Sequence, residues 1–301
     1  MSTRRAGPFA AEALIGERRG FVASVHARAV SLLLDDGPLV AFLPGESPLH
    51  PWAVAVPLAS RDLARIGEGA TVRVSDGVLE VGPLRIELAG LEVVDLRLRR
   101  RLRALPDAGR QALARGAAAR PAAGPFDPAL AIALERFRTG GELRGLVTLV
   151  GLGEGLTPSG DDVLVGVLAG LDAARETLGD AAVLRERLCA ELERGTSRTT
   201  RLAAQMLDAA AAGFYAEPVL GVLETLALPK PGAKALERAI ADLLAVGHRS
   251  GADTLRGISA ALERLAGRTQ PWPGRRGLRA RSGPGAPGTP APGSRRPARG
   301  R

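Results

Sequence analysis

The chain has 301 residues, of which 46% are hydrophobic and 24% charged, and its formal net charge is +9. This length holds one large domain or two small ones, with enough apolar side chains for a core. The chain has a single cysteine, Cys189, so a disulfide within the chain is excluded. The sequence contains no run of about 18 apolar residues, so no membrane span is predicted. Glu12 and Glu17 interrupt any signal-peptide pattern, so we expect a cytoplasmic protein.

The positive charge is concentrated at the end of the chain. Residues 268–301 contain nine Arg and neither Asp nor Glu, whereas residues 1–267 carry 32 basic and 32 acidic side chains. The tail consists mainly of Pro, Gly, Ala and Arg, a composition typical of a disordered extension. We therefore expect no nucleic-acid partner, although the tail alone is basic enough for non-specific contact with acidic surfaces.

The first part of the chain is predicted to be a β-rich domain over residues 19–95, preceded by an N-terminal extension over residues 1–18. Short stretches of β-branched and other apolar residues between turn residues predict its strands. They cover residues 20–25, 29–34, 39–43, 52–56, 71–74, 78–81 and 84–88. Residues 35–38 and 75–77 are typical of hairpin turns, so we expect a small antiparallel sheet or barrel.

A second domain is predicted over residues 127–267, after an Arg-, Ala- and Pro-rich connector over residues 96–126. Asp127 as N-cap and Pro128 as first helical residue predict its first helix. Breaks in the later helical pattern, which predict about five further helices, lie at Gly179, Gly195, Gly213, Pro229 and residues 247–251. The predicted fold class is α+β, a small N-terminal antiparallel β domain followed by a C-terminal α-helical domain.

The most unusual segment is residues 151–162, which read Gly-Leu-Gly-Glu-Gly-Leu-Thr-Pro-Ser-Gly-Asp-Asp and lead into a helix. Glycines permit positive φ and close approach of a ligand, and the first amides of a helix attract anions. The candidate substrate-binding residues are Gly153, Gly155, Thr157, Ser159 and Gly160. Asp161 and Asp162 are candidate catalytic carboxylates, and as a pair they are a candidate Mg²⁺ site.

An ordinary turn with a helix cap is the alternative interpretation of residues 151–162, with Ser159 or Asp161 as the cap. The segment is not a Walker loop, since no lysine follows the glycines, and their spacing does not fit a Rossmann fingerprint. The helix that follows has Gly166 and Gly170 four residues apart. This small face lets another backbone approach closely and would hold the glycine segment rigidly.

A second polar cluster, residues 195–201, reads Gly-Thr-Ser-Arg-Thr-Thr-Arg at a predicted helix start. Hydroxyl and guanidinium groups suit a phosphate or a carboxylate, so Arg198 and Thr199 are candidate binding residues. The alternative is that Ser197 is an ordinary N-cap.

A third cluster, residues 247–254, reads Gly-His-Arg-Ser-Gly-Ala-Asp-Thr. Ser250 and Asp253 have the spacing of a capping box, and they are also candidate binding residues. Capping leaves His248 unexplained. A histidine in such a turn can donate to a developing oxyanion or move a proton, so His248 is a candidate catalytic residue.

Together, the order of these clusters resembles the AllH-type subunit family of oxamate carbamoyltransferase. The resemblance rests on residues 151–162, on Arg-Thr-Thr at 198–200 and on Gly-His-x-Ser-Gly-x-Asp-Thr at 247–254, and it covers about residues 20–265. The sequence departs from the family pattern at Glu154, where a Pro is expected, and at Ala203, where a Ser is expected.

The resemblance implies a subunit of a multi-subunit enzyme of purine and allantoin breakdown, with other carbamoyltransferase subunits as partners. That enzyme interconverts oxalurate plus phosphate with oxamate plus carbamoyl phosphate, so a small anionic substrate is expected. Two other functions stay open from the residues alone. One is a non-catalytic subunit that binds a small anion and positions its partners, and the other is a metal-dependent phosphoryl-transfer enzyme.

Overall fold

The computed structural model describes residues 4–35, 37–58, 60–63, 65–119, 124–194 and 196–267. The N-terminal part forms one nine-stranded sheet. Its strands are β1 (Arg5–Ala6), β2 (Arg18–His26), β3 (Ala29–Leu34), β4 (Leu39–Pro44), β5 (Ala53–Val56), β6 (Thr71–Ser75), β7 (Val78–Val81), β8 (Leu84–Glu87) and β9 (Glu92–Val93). Helices α1 (Pro8–Ala13) and α2 (Ser60–Leu63) interrupt the strands.

The strand order is β8-β7-β6-β2-β3-β4-β5-β1-β9. Most pairs are antiparallel, as predicted, and both expected hairpins form, β3 with β4 and β6 with β7. Asp76 and Gly77 in the second hairpin both have positive φ, which is the turn geometry that matches strand twist. The pairs β4–β5 and β1–β9 are parallel, which differs from the predicted antiparallel sheet. Strands β1 and β9 have only two residues each.

The rest of the described chain is helical. Its helices are α3 (Asp107–Ala118), α4 (Asp127–Gly140), α5 (Leu143–Val147), α6 (Ser159–Ala174), α7 (Ala181–Leu192), α8 (Arg201–Ala211), α9 (Glu217–Leu226), α10 (Ala233–Leu244) and α11 (Ser250–Ala266), with a 3₁₀ turn at Thr196–Arg198. The sheet followed by these helices confirms the predicted α+β fold class. Where about five helices were predicted, the described chain has six, α6–α11, separated near the predicted breaks, and the short α5 precedes them.

The start of α4 differs by one residue from the prediction. Phe126 occupies the N-cap position, and Asp127 is the first helical residue without a side-chain cap bond. The Asp127 carboxylate instead accepts from the Gly124 amide at 2.6 Å and pairs with two arginines of the α11 region. Long-range ion pairs therefore determine where this aspartate points.

At strands β4 and β5 the sheet is buried on both faces. One face, together with α1, buries one set of side chains, namely Val40, Phe42, Val54 and Val56. The alternate residues of the same two strands join the core of the helical part, namely Ala41, Leu43, Ala53 and Ala55. Sheet and helices thus share a core, which follows from the two-residue period of a strand.

Helix α6 is almost entirely buried and packs against α11. A Cβ at Gly166 would overlap the carbonyl oxygen of Thr254, and one at Gly257 would overlap that of Val163. A Cβ at Gly170 would lie 2.8 Å from Cβ of Ala261. The close approach predicted from Gly166 and Gly170 is confirmed, and α11 is the helix that uses it.

Within the described residues, no helix combines the length and the apolar character that crossing a membrane requires. Residues 268–301, and with them the predicted disordered tail, lie outside the part of the chain that the structure describes. So do residues 120–123 of the predicted connector. The proposed domain boundaries at residues 95 and 127 stay a prediction.

Candidate functional site

The three polar clusters meet at the N-terminal end of α6. Asp161 lies in the first turn of this helix, and its Oδ2 accepts a 2.6 Å hydrogen bond from the Thr199 hydroxyl, 38 residues away in the chain. Thr157 shares a 2.9 Å hydrogen bond with Ser250, 93 residues away at the start of α11. The glycine segment therefore contacts both of the other clusters, and α6 anchors all three.

Two glycines of this segment are required by its backbone. Gly151 has a φ of +76°, and a Cβ there would overlap the carbonyl oxygen of Arg198. Gly153 has a φ of +136°, and a Cβ there would lie 2.5 Å from the amide nitrogen of Ser159. Any other residue would therefore push the segment away from the second cluster or from the start of α6.

Simple capping does not account for the polar residues. The N-cap positions of α6 and α11 are Pro158 and Arg249, and neither makes a side-chain cap bond. The N-cap of α8 is Thr200 rather than Ser197, and the Thr200 hydroxyl accepts from the Ala203 amide at 3.1 Å. The capping interpretations of Ser159, Asp161, Ser197 and the Ser250–Asp253 pair are therefore wrong.

Asp161 is buried, with 2% of its surface exposed. Besides the bond from Thr199, its carboxylate accepts from the Gly151 amide at 3.1 and 3.3 Å. Burial raises the pKa of the Asp161 carboxyl above its ordinary value, and the bonds from Thr199 and Gly151, with the nearby Arg198 charge, offset part of that rise. This carboxylate ties the first cluster to the second.

Asp162 is partly exposed as a whole residue, and its carboxyl hydrogen-bonds with Ser250 of the third cluster. Burial of the carboxyl group raises the pKa of Asp162 well above its ordinary value. Hydrogen bonding with Ser250 and Thr157 opposes this rise in pKa, whereas the neighbouring carboxylates of Asp253 and Asp161 add to it. Of the two adjacent carboxyls, Asp162 has its pKa raised further than Asp161 does.

Asp253 is fully buried and belongs to a charged network behind the third cluster. Nη1 of Arg256 lies 3.6 Å from Oδ1 of Asp253 and 3.2 Å from Oδ1 of Asp127. Nη2 of Arg249 lies 3.2 Å from Oδ2 of Asp127. These two arginines place positive charge beside the acidic residues and join α4 to α11.

Arg198 and His248 are the candidates with exposed side chains. Nη2 of Arg198 donates to the carbonyl oxygen of Val147 at 2.9 Å, which holds the guanidinium beside the glycine segment. His248 lies in the turn before α11, two residues from Ser250. Both side chains are therefore accessible from solvent.

The remaining glycine-segment residues differ in their availability to a ligand. Gly155 has a φ of +88°, and a Cβ there would meet no atom within 4 Å, so its backbone faces open space. Ser159 is partly buried as the first residue of α6. The Gly160 amide already donates to the Leu152 carbonyl at 2.8 Å, so it supports the loop rather than an anion.

Sequence reasoning did not select Thr200, Asp127, Arg249 or Arg256 as site residues. The Thr200 hydroxyl donates to the Leu156 carbonyl at 2.5 Å and so binds the glycine segment to α8. Its position inside the second polar cluster was the available signal. The partners of Asp127 are more than 120 residues away, at sequence separations of 122 and 129, so no local pattern indicated them.

The side chains of the site are not arranged as a metal-binding site among the described residues. Within the residues that the structure describes, no group of three or more His, Cys, Asp or Glu side chains is placed to hold one. Both oxygens of Asp161 already accept hydrogen bonds. The pair Asp161 and Asp162 would therefore need ligands from a substrate or a partner to complete a Mg²⁺ site.

A second buried aspartate lies at the other end of α6. Asp172 is 2% exposed, and Arg175, Arg185 and Arg101 approach its carboxylate at 3.3, 3.4 and 3.9 Å. Arg185 also donates to the last carbonyls of α8 at 3.2 and 2.7 Å. None of the three polar clusters contributes to this network, so we interpret it as structural.

Two family models match the chain, one over the residues of the sheet and one over part of the helical region. Residues 149–262 match the model described as "Oxamate carbamoyltransferase subunit AllH". Residues 6–93 match the model described as "AllH family N-terminal domain". No solved structure matches the chain significantly. The first match includes all three clusters of the site, and together the two matches cover most of the chain, which therefore belongs to the AllH family, a family of oxamate carbamoyltransferase subunits.

Proposed function

We propose that this subunit contributes to a carbamoyltransferase that converts oxalurate and phosphate to oxamate and carbamoyl phosphate, or acts on a related ureido acid. A place in purine and allantoin breakdown belongs to the same proposal. The observation that carries it is the convergence of three polar clusters on α6, through the Asp161–Thr199 and Thr157–Ser250 bonds. The family match to oxamate carbamoyltransferase subunits supports the choice of reaction.

The anionic end of the substrate is proposed to lie between the glycine segment and the second cluster. Gly153, Gly155 and Thr157 form one side, and Arg198 with Thr199 forms the other. Arg198 supports this assignment because its guanidinium is exposed and positioned beside the segment. A guanidinium binds phosphate and carboxylate groups through paired hydrogen bonds.

Proton transfer is proposed to involve the third cluster. In the direction of carbamoyl transfer, the oxamate amide nitrogen attacks the carbonyl carbon, the bond to the phosphate oxygen breaks, and the nitrogen loses a proton. Asp162 is the proposed acceptor of that proton, because its pKa is raised further than that of Asp161, which makes its carboxylate the stronger base. His248 would donate to the carbonyl oxygen, where negative charge develops.

Asp161 then acts mainly as a positioning residue. Its two hydrogen-bond partners are Gly151 and Thr199, one from each of the two segments that form the proposed anion site. Ser159, Gly160, Ser250 and Asp253 complete the set of proposed site residues. Of these, Ser250 is placed to pass a proton between Asp162 and Thr157, since it hydrogen-bonds with both.

A second candidate function is a non-catalytic anion-binding subunit that positions its partners. It is favoured by the openness of the site, since Arg198 and His248 are exposed. Neither the cavity beside α1 nor the one beside α9 and α10 is lined by the candidate residues. On this view another carbamoyltransferase subunit covers the three clusters and completes the site.

The test is a calorimetric titration of carbamoyl phosphate into the full chain, with and without Mg²⁺. We expect saturable binding that Arg198→Gln weakens by about tenfold, because a charge-assisted hydrogen bond is worth about 1.5–3 kcal/mol. The matched control is Arg194→Gln, since Arg194 is a nearby exposed arginine that pairs with Glu191. His248→Ala is compared in the same way with His26→Ala, another exposed histidine.

Each outcome separates the candidate functions. Binding that both control variants keep and both site variants lose supports the proposed donor site. Binding that survives Arg198→Gln and His248→Ala would place the ligand elsewhere. Strict dependence on Mg²⁺ would favour phosphoryl transfer, and binding only after the partner subunits are added would favour the second candidate.

A further inference from the structure

A cavity of about 450 Å³ lies in the N-terminal part of the chain, and no residue of the candidate site lines it. Its aromatic lining residues are Phe9 and Trp52, and its charged ones are Glu12, Arg18 and Asp35. It lies where α1 meets the β3–β4 hairpin. A concave surface that combines aromatic rings with a few charged groups is typical of small-ligand sites.

The aromatic wall of this cavity is held in place by further contacts. The rings of Phe9 and Trp52 are 5.1 Å apart, and Phe9 also contacts Phe214 edge-on at 4.9 Å. The Trp52 indole nitrogen donates to the Gln205 carbonyl at 3.2 Å. At the far end of this row of rings, the guanidinium of Arg97 lies 4.2 Å from the Phe214 centroid. The same row of rings thus already holds one cation.

The rim of the cavity is also attached to α8. The Gln205 side chain forms two hydrogen bonds with the Leu39 backbone, at 2.8 and 3.0 Å. Arg201 donates to the Gly37 carbonyl at 2.8 Å. These bonds connect the hairpin to a helix in the buried core, so the cavity is formed before any ligand arrives. Such preorganisation lowers the entropic cost of binding.

The charges of the lining favour a cation. Glu12 and Asp35 are exposed carboxylates. Oδ2 of Asp35 accepts from the Arg19 backbone amide at 3.3 Å, and within the described residues neither carboxylate forms an ion pair. The one guanidinium, Arg18, already donates to the carbonyl oxygens of Ala13 and Glu17, at 3.2 Å each. Two carboxylates against one guanidinium leave the lining itself with a net negative charge. The Arg201 guanidinium at the rim is engaged by the Gly37 carbonyl.

We infer that this cavity binds a small organic cation with a planar head rich in N–H groups, such as a guanidinium. The head stacks on the Phe9 and Trp52 wall, and its N–H groups donate to Glu12 and Asp35. The proposed carbamoyl-transfer substrates are anions, so this ligand is a different molecule at a different place. The inference does not depend on the proposed function.

Fluorescence of Trp52 tests the inference in the full chain. The chain has two tryptophans, Trp52 and Trp272, so the variant Trp272→Phe leaves Trp52 as the single reporter. The probe is agmatine, an alkyl guanidinium, and the matched anion is glutarate. We expect a saturable change in Trp52 emission with agmatine, weakened by salt, and no change with glutarate.

Variants of the two carboxylates complete the test. Glu12→Gln and Asp35→Asn should each weaken agmatine binding about two- to fivefold, the range for exposed charge pairs. Asparagine suits position 35 because Asp35 has a φ of +35°. The control is Glu17→Gln, an exposed glutamate outside the lining, which should leave binding unchanged.

Three results would overturn the inference. One is the absence of any change in Trp52 emission up to about 10 mM agmatine. Another is a saturable response to glutarate, which would assign the cavity to anions through Arg18. The third is equal agmatine affinity in wild type and in the Glu12→Gln, Asp35→Asn double variant.

Discussion

The two ends of helix α6 each bury an aspartate, and they stabilise it by different means. Asp161, in the first turn, is bound by a hydroxyl and an amide, and no arginine contacts it closely enough to form an ion pair among the described residues. Asp172, in the last turn, lies among three arginines. The helix dipole explains the contrast, since it favours a carboxylate at the N-terminus and disfavours one at the C-terminus.

The difference separates a structural network from an adaptable one. Arginines around Asp172 remain charged at any relevant pH, so that end of α6 keeps one arrangement. Hydroxyl groups around Asp161 and Asp162 can both donate and accept, so that end can exchange partners with a ligand or move a proton. We therefore expect stability to depend most on Asp172, and binding to depend most on the Asp161–Asp162 end.

The largest effect on stability is expected for Asp172→Asn. It leaves three arginines beside a neutral side chain, and breaking a buried ion pair costs about 3 kcal/mol or more. Urea unfolding measures the change in free energy. The control is Asp107→Asn, which removes an exposed pair with Arg110 at 2.6 Å and should have little effect. Equal stability of the two variants would contradict a structural role for Asp172.

A somewhat smaller loss of stability is expected for Gly257→Ala, in α11, where this helix packs against the middle of α6. The added Cβ would overlap the Val163 carbonyl and lie 2.7 Å from the Val167 amide, so α6 and α11 must separate. Overpacking of this kind costs about 1–3 kcal/mol. In α9, a Cβ at Gly221 would meet no atom within 4 Å, so Gly221→Ala should stabilise the chain slightly. Thermal unfolding of both variants checks the contrast, which fails if Gly257→Ala is neutral.

The smallest effect on stability, but the most specific, concerns pH and Asp162. The pKa of Asp162 is raised in the folded chain, so the folded state binds this proton more tightly than the unfolded state does. This tighter proton binding stabilises the folded chain fully below the pKa that Asp162 has in the unfolded chain. The stabilisation is lost as the pH rises through the pKa that Asp162 has in the folded chain. Asp162→Asn should therefore be at least as stable as wild type at neutral pH, with a weaker dependence on pH.

Urea unfolding at about pH 5 and about pH 8 measures that dependence. Glu154→Gln, an exposed carboxylate of the same segment, is the control and should keep the wild-type dependence. If the free energy of unfolding of Asp162→Asn changed with pH as much as that of wild type, this carboxyl would not hold the proton. If Asp162 is the proton acceptor of the proposed reaction, the same variant loses carbamoyl transfer in the assembled enzyme while the chain stays folded.

Much of the fold was predictable because it is encoded locally. Periodicity and turn residues predicted both hairpins and the breaks between α7 and α11, and the Gly166–Gly170 spacing predicted the close helix packing. Strands β1 and β9 were missed because two residues carry no periodic signal. The start of α4 was misjudged because the Asp127 carboxylate is directed by arginines from another helix.

The sequence by itself determined the family resemblance and the candidate site residues. The resemblance rests on the order of the motifs at residues 151–162, 198–200 and 247–254, and the candidates on glycines, hydroxyls and carboxylates that stand together at a helix start. Only the tertiary structure decided that Asp161 binds Thr199 and that Thr157 binds Ser250. The reason is physical: hydrogen bonds across 38 and 93 residues depend on how α6 packs against α8 and α11, and no local pattern records that packing.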